Sequence, residues 1–238
     1  MKRLLLALAV APLLAGCVVV NERVHRAEPS AFQTSASAPA RITAGMPDAT
    51  PANVSTVDGH HDGMANVYDV IRPSNANGSA VLYMVSGGWV SRWAPPEQRV
   101  AQFRALLDSG ITVIPVHHGS APRFKVPEAH ADVKRALRHV SLNAASYGVD
   151  PTRLGVFGGS AGGHLSLMLG LNGDDGDPAA ADPVLRGPAR IKAIVAYYPP
   201  VDIRPITGPS DRFPALDFPA DQAAAISPIL FVDGRDPP

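Results

Sequence analysis

Cysteine is nearly absent: among 238 residues only Cys17 is one, so no intrachain disulfide can form. Charge is sparse and cancels. Charged residues make up 18% of the chain, with 21 Lys and Arg against 21 Asp and Glu. No basic stripe or run is present, so nothing points to nucleic acid, and no acidic tail is present either. Long apolar runs are missing too. The run from Leu4 to Leu14, broken only by Pro12, is too short to cross a bilayer as a stable helix. What the chain does have is apolar residues at 46%, enough for one globular domain with a sizeable core. It also has 24 prolines, clustered near the start and the end, which favours long ordered loops or flexible tails there.

The short apolar run has a specific context. Lys2 and Arg3 precede it, and Leu14-Ala15-Gly16-Cys17 follows it. A positive head, a short apolar core and small residues before a cut site are the parts of a secretory signal. With cysteine directly after the small residues, the segment resembles a bacterial lipobox. The resemblance implies a signal peptide over residues 1–16, cleavage before Cys17, and acylation of Cys17 at its thiol and new amine. Several acyl chains hold a protein firmly to a membrane surface where one does not. Val18 follows, with no aspartate. By resemblance to Gram-negative lipoproteins this implies the outer membrane, facing the periplasm. An ordinary secretory signal with a chance cysteine is the second reading. Residues 17–56 then form the lipidated cysteine and a tether. Glu28 to Ala52 is rich in Ala, Ser, Thr and Pro and without helical or strand period.

Residues 57–238 read as one domain. Asn66–Ile71 alternates like a strand, and a turn containing Asn77-Gly78 follows. Ala80–Val85, Ile111–Val116, Leu154–Gly158 and Ile191–Tyr198 are apolar runs that predict strands buried on both faces. Between them, helices are predicted over Glu97–Leu107, Pro127–Tyr147 and Gly162–Leu171. Pro127 suits a first helical turn, and Gly148 suits a stop. The alternation predicts an α/β fold: a mostly parallel sheet with helices on both faces. Residues 172–190 read as a polar loop. Pro199 to Pro228 reads as part of a lid or a long surface excursion.

Gly158-Gly159-Ser160-Ala161-Gly162 matches G-x-S-x-G between a predicted buried strand and a predicted helix. A nucleophile on so sharp a turn stands clear of the backbone at the sheet's carboxyl edge. Flanking residues without a bulky Cβ let strand and helix approach closely around it. The helix after Ser160 also directs its positive dipole end at the site. Acyl transfer further requires preorganised donors for the oxyanion, and losing one typically costs about 3–4 kcal/mol of barrier stabilisation. Gly87 and Gly88, in Ser86-Gly87-Gly88-Trp89 after an earlier strand, are candidate donors, with the Ala161 N–H completing the hole.

The segment Tyr83–Leu171 resembles the hormone-sensitive-lipase-like esterases of the α/β-hydrolase superfamily. The likeness rests on Gly87-Gly88-Trp89, on Asp132 in a helix, on Gly148-Val149-Asp150-Pro151-Thr152-Arg153, and on the elbow Gly158 through His164. It implies hydrolysis of a small carboxylic ester through an acylated Ser160, with no metal or organic cofactor. The sequence does not reveal the oligomeric state, and a monomer is the default expectation. Two departures stand out. Val85-Ser86 replaces the family's His-Gly before Gly-Gly-Trp, and His117-His118 replaces a Tyr-Arg pair after the next strand.

A serine hydroxyl is a weak nucleophile without a base, and in this fold the acid and then the histidine follow the serine. After Ser160 the only histidine is His164, inside the elbow helix, where a packing role is expected. Asp202, Asp233 and Asp236 match no catalytic position of the family. The resemblance therefore implies that the last strands, with the triad acid and histidine, lie beyond Pro238 and that the chain is truncated. The missing strands would leave a sheet edge uncovered. His117 or His118 as substitute base is an open alternative, as is a metal site at His60-His61-Asp62. A non-catalytic remnant or binding protein on a hydrolase scaffold is the alternative for the whole chain.

Overall fold

The structure is a computed structural model that describes residues 68–94 and 98–238. Cys17, the signal segment, the tether and His60-His61-Asp62 lie outside the described residues.

Four parallel strands form the sheet: β1 (Ala80–Met84), β2 (Thr112–Val116), β3 (Leu154–Gly159) and β4 (Ala193–Tyr197). Their order is β2-β1-β3-β4. Ala80 lies opposite both Thr112 and Leu154, and Gly155 lies opposite Ala193. Three α-helices connect them: α1 (Arg104–Asp108), α2 (Val126–Leu142) and α3 (Ala161–Leu171).

The order has a direct consequence. From β1 the chain moves outward to β2, then α2 carries it back past β1 to β3, and α3 carries it on to β4. Right-handed crossovers then force α1 onto one face and α2 and α3 onto the other. The core follows that division. Leu82, Met84, Ile114, Val116, Leu154 and Val156 pack with Val133, Leu137 and Val140 of α2 and with Leu165, Met168 and Leu169 of α3. On the opposite face Val113 and Ile71 pack with Phe103 and Leu107, and Val81, Tyr83 and Phe157 join them. Period-2 alternation along the strands sends neighbouring residues to the two clusters. The direction of winding reverses between adjacent β1 and β3, so the loops leaving their carboxyl ends part to opposite faces and leave a crevice. Both Ser86-Gly87-Gly88 and Ser160 stand at that crevice.

Several expectations change. The segment expected to be a strand at Asn66–Ile71 makes, within its described part, two isolated antiparallel bridges to β2, Tyr68 to Val116 and Ile71 to Val113. The helix expected over Glu97–Leu107 is a 3-10 turn, Val100–Phe103, followed by the short α1. The helix expected to reach Tyr147 ends at Leu142. A 3-10 turn over Ala144–Tyr147 follows, and Gly148 stops it at φ +65°. At its start the Glu128 carboxylate accepts from the Lys125 N–H at 2.8 Å.

The loop after α3 is tied down by charge. Asp174 pairs with Lys134 and Arg138, and Asp182 pairs with Arg135, all on α2. The larger correction is β4, expected to be buried on both faces. It exposes alternate residues, with Val195 at 48% and Tyr197 at 55%. Its partner on one side is β3. On its other side the Ile194 N–H meets only the Pro238 carbonyl, at 2.8 Å, among the described residues. The edge is open.

Candidate active site

β3 delivers Ser160 and α3 begins at Ala161. Between them Ser160 takes φ +52° and ψ −122°, a conformation that side chains other than glycine rarely adopt. Such strain costs on the order of 1–3 kcal/mol and persists only where neighbours enforce it. The enforcement is visible. The Ser160 N–H donates to the Tyr197 carbonyl, and the Ser160 carbonyl accepts from His164 N–H, both at 2.9 Å. The glycines make the turn sterically possible. A Cβ on Gly158 would stand 2.6 Å from the Gly162 backbone, and one on Gly162 would stand 2.7 Å from the Met84 carbonyl. Ser160 is exposed, and no side chain hydrogen-bonds its hydroxyl among the described residues.

The expected donors divide. The Gly87 N–H donates to the Val90 carbonyl at 3.0 Å, closing a tight turn, so that donor is spent within the loop. No backbone carbonyl accepts from Gly88 or Ala161 N–H among the described residues. Gly88 and Trp89 both have positive φ, +60° and +58°. The loop is clamped from behind. Trp89 Nε1–H donates to His164 Nδ1 at 3.2 Å, and His164 Nε2–H donates to the Ile226 carbonyl at 2.8 Å. A carbonyl only accepts, so His164 carries its proton on Nε2 and its Nδ1 is free to accept the indole. His164 is fully buried, and burial pushes its pKa down to about 4 despite the Ile226 carbonyl. It is a neutral strut joining the Gly87-Gly88-Trp89 loop to the start of α3, the packing role expected of it.

The segment after β4 forms the other wall. Phe213 stands against the loop, 3.2 Å from where a Cβ on Gly88 would lie, and edge-on to Trp89. Lys125 Nζ donates to the Pro214 carbonyl and holds this wall to the start of α2. The proline-rich stretch is a surface excursion packed onto the site. Asp202 pairs with Arg204, which holds its carboxyl down at about 2, and it does not reach Ser160 in any contact observed.

Of the two departures in sequence, the structure brings half of each together. His118 Nε2 lies 2.9 Å from Ser86 Oγ, and its Nδ1 lies 2.7 Å from the Gly119 carbonyl. Gly119 N–H in turn donates to Asp132 Oδ2 at 2.8 Å. His117 turns elsewhere, its Nδ1 3.0 Å from Ser91 Oγ. The pairing of Ser86 with His118 was not read from sequence; the one signal was that both positions depart from the family pattern.

A cavity of about 490 Å³ lies at the opposite end of β4, lined by residues including Gly170, Arg190, Lys192, Asp233 and Asp236. It touches none of Ser86, Gly88 or Ser160, so geometry and not cavity size marks the site. Among the described residues no three His, Cys, Asp or Glu side chains are grouped to hold a metal ion. No helix among them is long and apolar enough to cross a membrane.

A family model, BD-FAE, matches residues 68–238. The chain belongs to the BD-FAE family. Its relatives include Esterase LipQ of Mycobacterium tuberculosis (strain ATCC 25618 / H37Rv), 32% identical over 59% of this chain and 34% of that protein. Ethyl acetate hydrolase of Pseudomonas putida is 34% identical over 39% of this chain and 29% of that protein. The chain thus spans about a third of the length of the curated relatives it matches. Among solved structures, an acetyl ester-xyloside bifunctional hydrolase from Caldicellulosiruptor lactoaceticus superposes with a TM-score of 0.60 at 24% identity. That match covers 79% of this chain and 70% of that one. A truncated carbohydrate esterase from gut microbiota superposes with a TM-score of 0.59 at 28% identity, over 72% and 68%. With the parallel sheet and its helices, these likenesses show the α/β-hydrolase fold.

Proposed function

We propose that this chain carries the nucleophile half of a serine carboxylic-ester hydrolase acting on small esters. The observation that carries the reading is Ser160, held at φ +52° between β3 and α3. In the proposed reaction Ser160 Oγ attacks the ester carbonyl and the alcohol leaves. Water then releases the acid from the acylated serine. The oxyanion is received by the N–H groups of Gly88 and Ala161. Gly87, the third donor expected from the motif, joins only if its bond to Val90 opens.

Ser160 needs a base and an acid partner. The reading assigns them to chain following Pro238, laid along the open edge of β4. Two observations support it: β4 exposes Val195 and Tyr197, and the curated relatives extend far beyond the matched stretch. The absence of any side chain bonded to Ser160 Oγ among the described residues favours a second reading, a binding protein on a hydrolase scaffold. The proposal further places the protein in the cell envelope, anchored by acylated Cys17 to the outer membrane and facing the periplasm, as a monomer. The N-terminal sequence alone supports that part.

The deciding test is short-chain p-nitrophenyl ester hydrolysis by the product of the complete locus, with Ser160→Ala beside it. Activity abolished by the substitution supports the esterase; an inactive complete product supports the binding reading. Palmitate labelling that survives Cys17→Ser would remove the anchor.

A further inference from the structure

Ser86 and His118 meet the geometric requirements of a nucleophile and its base. A hydroxyl and an imidazole nitrogen within about 2.6–3.2 Å, with the imidazole oriented by a third group, is the arrangement that activates serine. Here the separation is 2.9 Å and the third group is the Gly119 carbonyl, 2.7 Å from the other ring nitrogen. That carbonyl can only accept, so Nδ1 carries the proton and Nε2 presents its lone pair to the Ser86 hydroxyl. The residue is anchored on its other side too, since the Gly119 N–H, in the preceding peptide group, donates to buried Asp132. The ring is therefore fixed in tautomer and in place.

The other serine–histidine contact lacks these features. Among the described residues His117 Nε2 is buried without a hydrogen-bond partner, and Ser91 alone bonds the ring. Burial, helped by Arg99 and His118, pushes its pKa down to about 3, too low for a useful base near neutrality. Ser86 also stands in the right place. It follows β1 at the carboxyl edge of the sheet, directly before Gly87 and Gly88, and its carbonyl lies 3.4 Å from where a Cβ on Gly162 would be. Both serines border one crevice.

We propose that Ser86 and His118 form a second nucleophile–base pair, independent of Ser160, that accepts the acyl group of a small activated ester. Ser86 Oγ bonds to the ester carbonyl carbon while its proton passes to His118 Nε2. The carbon–oxygen bond to the alcohol breaks, and the alcohol oxygen takes that proton. Water then bonds to the acyl carbon, giving its proton to the same nitrogen, and Ser86 Oγ departs with it, leaving the carboxylic acid. Ser86 and His118 both stand where the sequence departs from the esterase pattern it resembles, so that pattern does not supply the pair.

The test uses the 238-residue chain and paraoxon, a reagent that phosphorylates an esterase of this fold. Adducts are located by peptide fragmentation in the wild type, Ser160→Ala, Ser86→Ala, and Ser160→Ala combined with His118→Phe or His118→Gln. Thermal melts check that each variant is folded. The expected result is an adduct on Ser86 in Ser160→Ala, formed roughly a hundredfold more slowly once His118 is replaced. Ser91 lies on the same stretch of chain and serves as the internal control. No adduct on Ser86, equal labelling of Ser91, or a rate unchanged in a folded His118 variant overturns the proposal. An adduct on Ser160 alone overturns it while supporting the esterase reading. An adduct on Ser86 with none on Ser160 in Ser86→Ala supports it while telling against Ser160.

Discussion

Replacing His164 by leucine tests the strut between the Gly87-Gly88-Trp89 loop and α3. The side chain is fully buried and bonded at both ring nitrogens. Leucine fills similar space but leaves the Trp89 indole N–H and the Ile226 carbonyl without partners. Each such orphan costs about 1–3 kcal/mol, so the two together cost roughly 2–6 kcal/mol. Burial of the new apolar side chain returns about 2 kcal/mol. The net loss expected at neutral pH is roughly 1–4 kcal/mol.

Acid provides a second and more specific signature. The His164 pKa falls from 6.5 to about 4 on folding, so the unfolded chain takes up the proton more readily. The wild type therefore holds this contribution above pH 6.5 and loses it as pH falls toward 4. At about 1.4 kcal/mol per pH unit the loss amounts to roughly 3 kcal/mol. His164→Leu has no such proton to bind. Urea unfolding followed by tryptophan fluorescence at pH 7.5 and pH 4.5 gives both numbers. The penalty of the substitution should be clear at the higher pH and shrink by most of that amount at the lower. A penalty of equal size at both pH values would refute the neutral, buried strut.

Three further predictions follow from the same geometry. Gly162→Ala drives a Cβ to 2.7 Å from the Met84 carbonyl, a backbone atom that cannot move without β1, so it should cost roughly 1–3 kcal/mol or more by urea unfolding. His117 and His130 are also depressed by burial, each to about 3, so stability should keep falling below pH 4, and His130→Gln should flatten the curve between pH 6.5 and 3. Val195 and Tyr197 on the open edge of β4 should make the 238-residue chain bind an apolar dye and self-associate, and Val195→Lys should reduce both in light scattering without lowering the melting temperature.

The strands, the helices near the site and the elbow were legible in sequence because their causes are local. Continuous apolar runs marked β1, β2 and β3, and the elbow's glycines marked a turn that no other residue fits. The order β2-β1-β3-β4 and the crevice it opens are not local. They follow from crossover handedness acting on the whole sheet. β4 shows the limit most plainly. Its sequence is as apolar as that of β1, and period and composition alone predict burial on both faces. Whether an apolar strand is covered depends on what lies beside it, and only the tertiary structure shows that no described strand pairs with its far edge. The same holds at the site. Ser160 is written in five residues, whereas Ser86 and His118 are separated by β2 and α1, and Trp89 and His164 by half the domain. Sequence marked the turn at Ser160 because strain and close approach are encoded where they occur. Only folding decided which histidine meets which serine, because a hydrogen bond reads distance in space and carries no signature of distance along the chain.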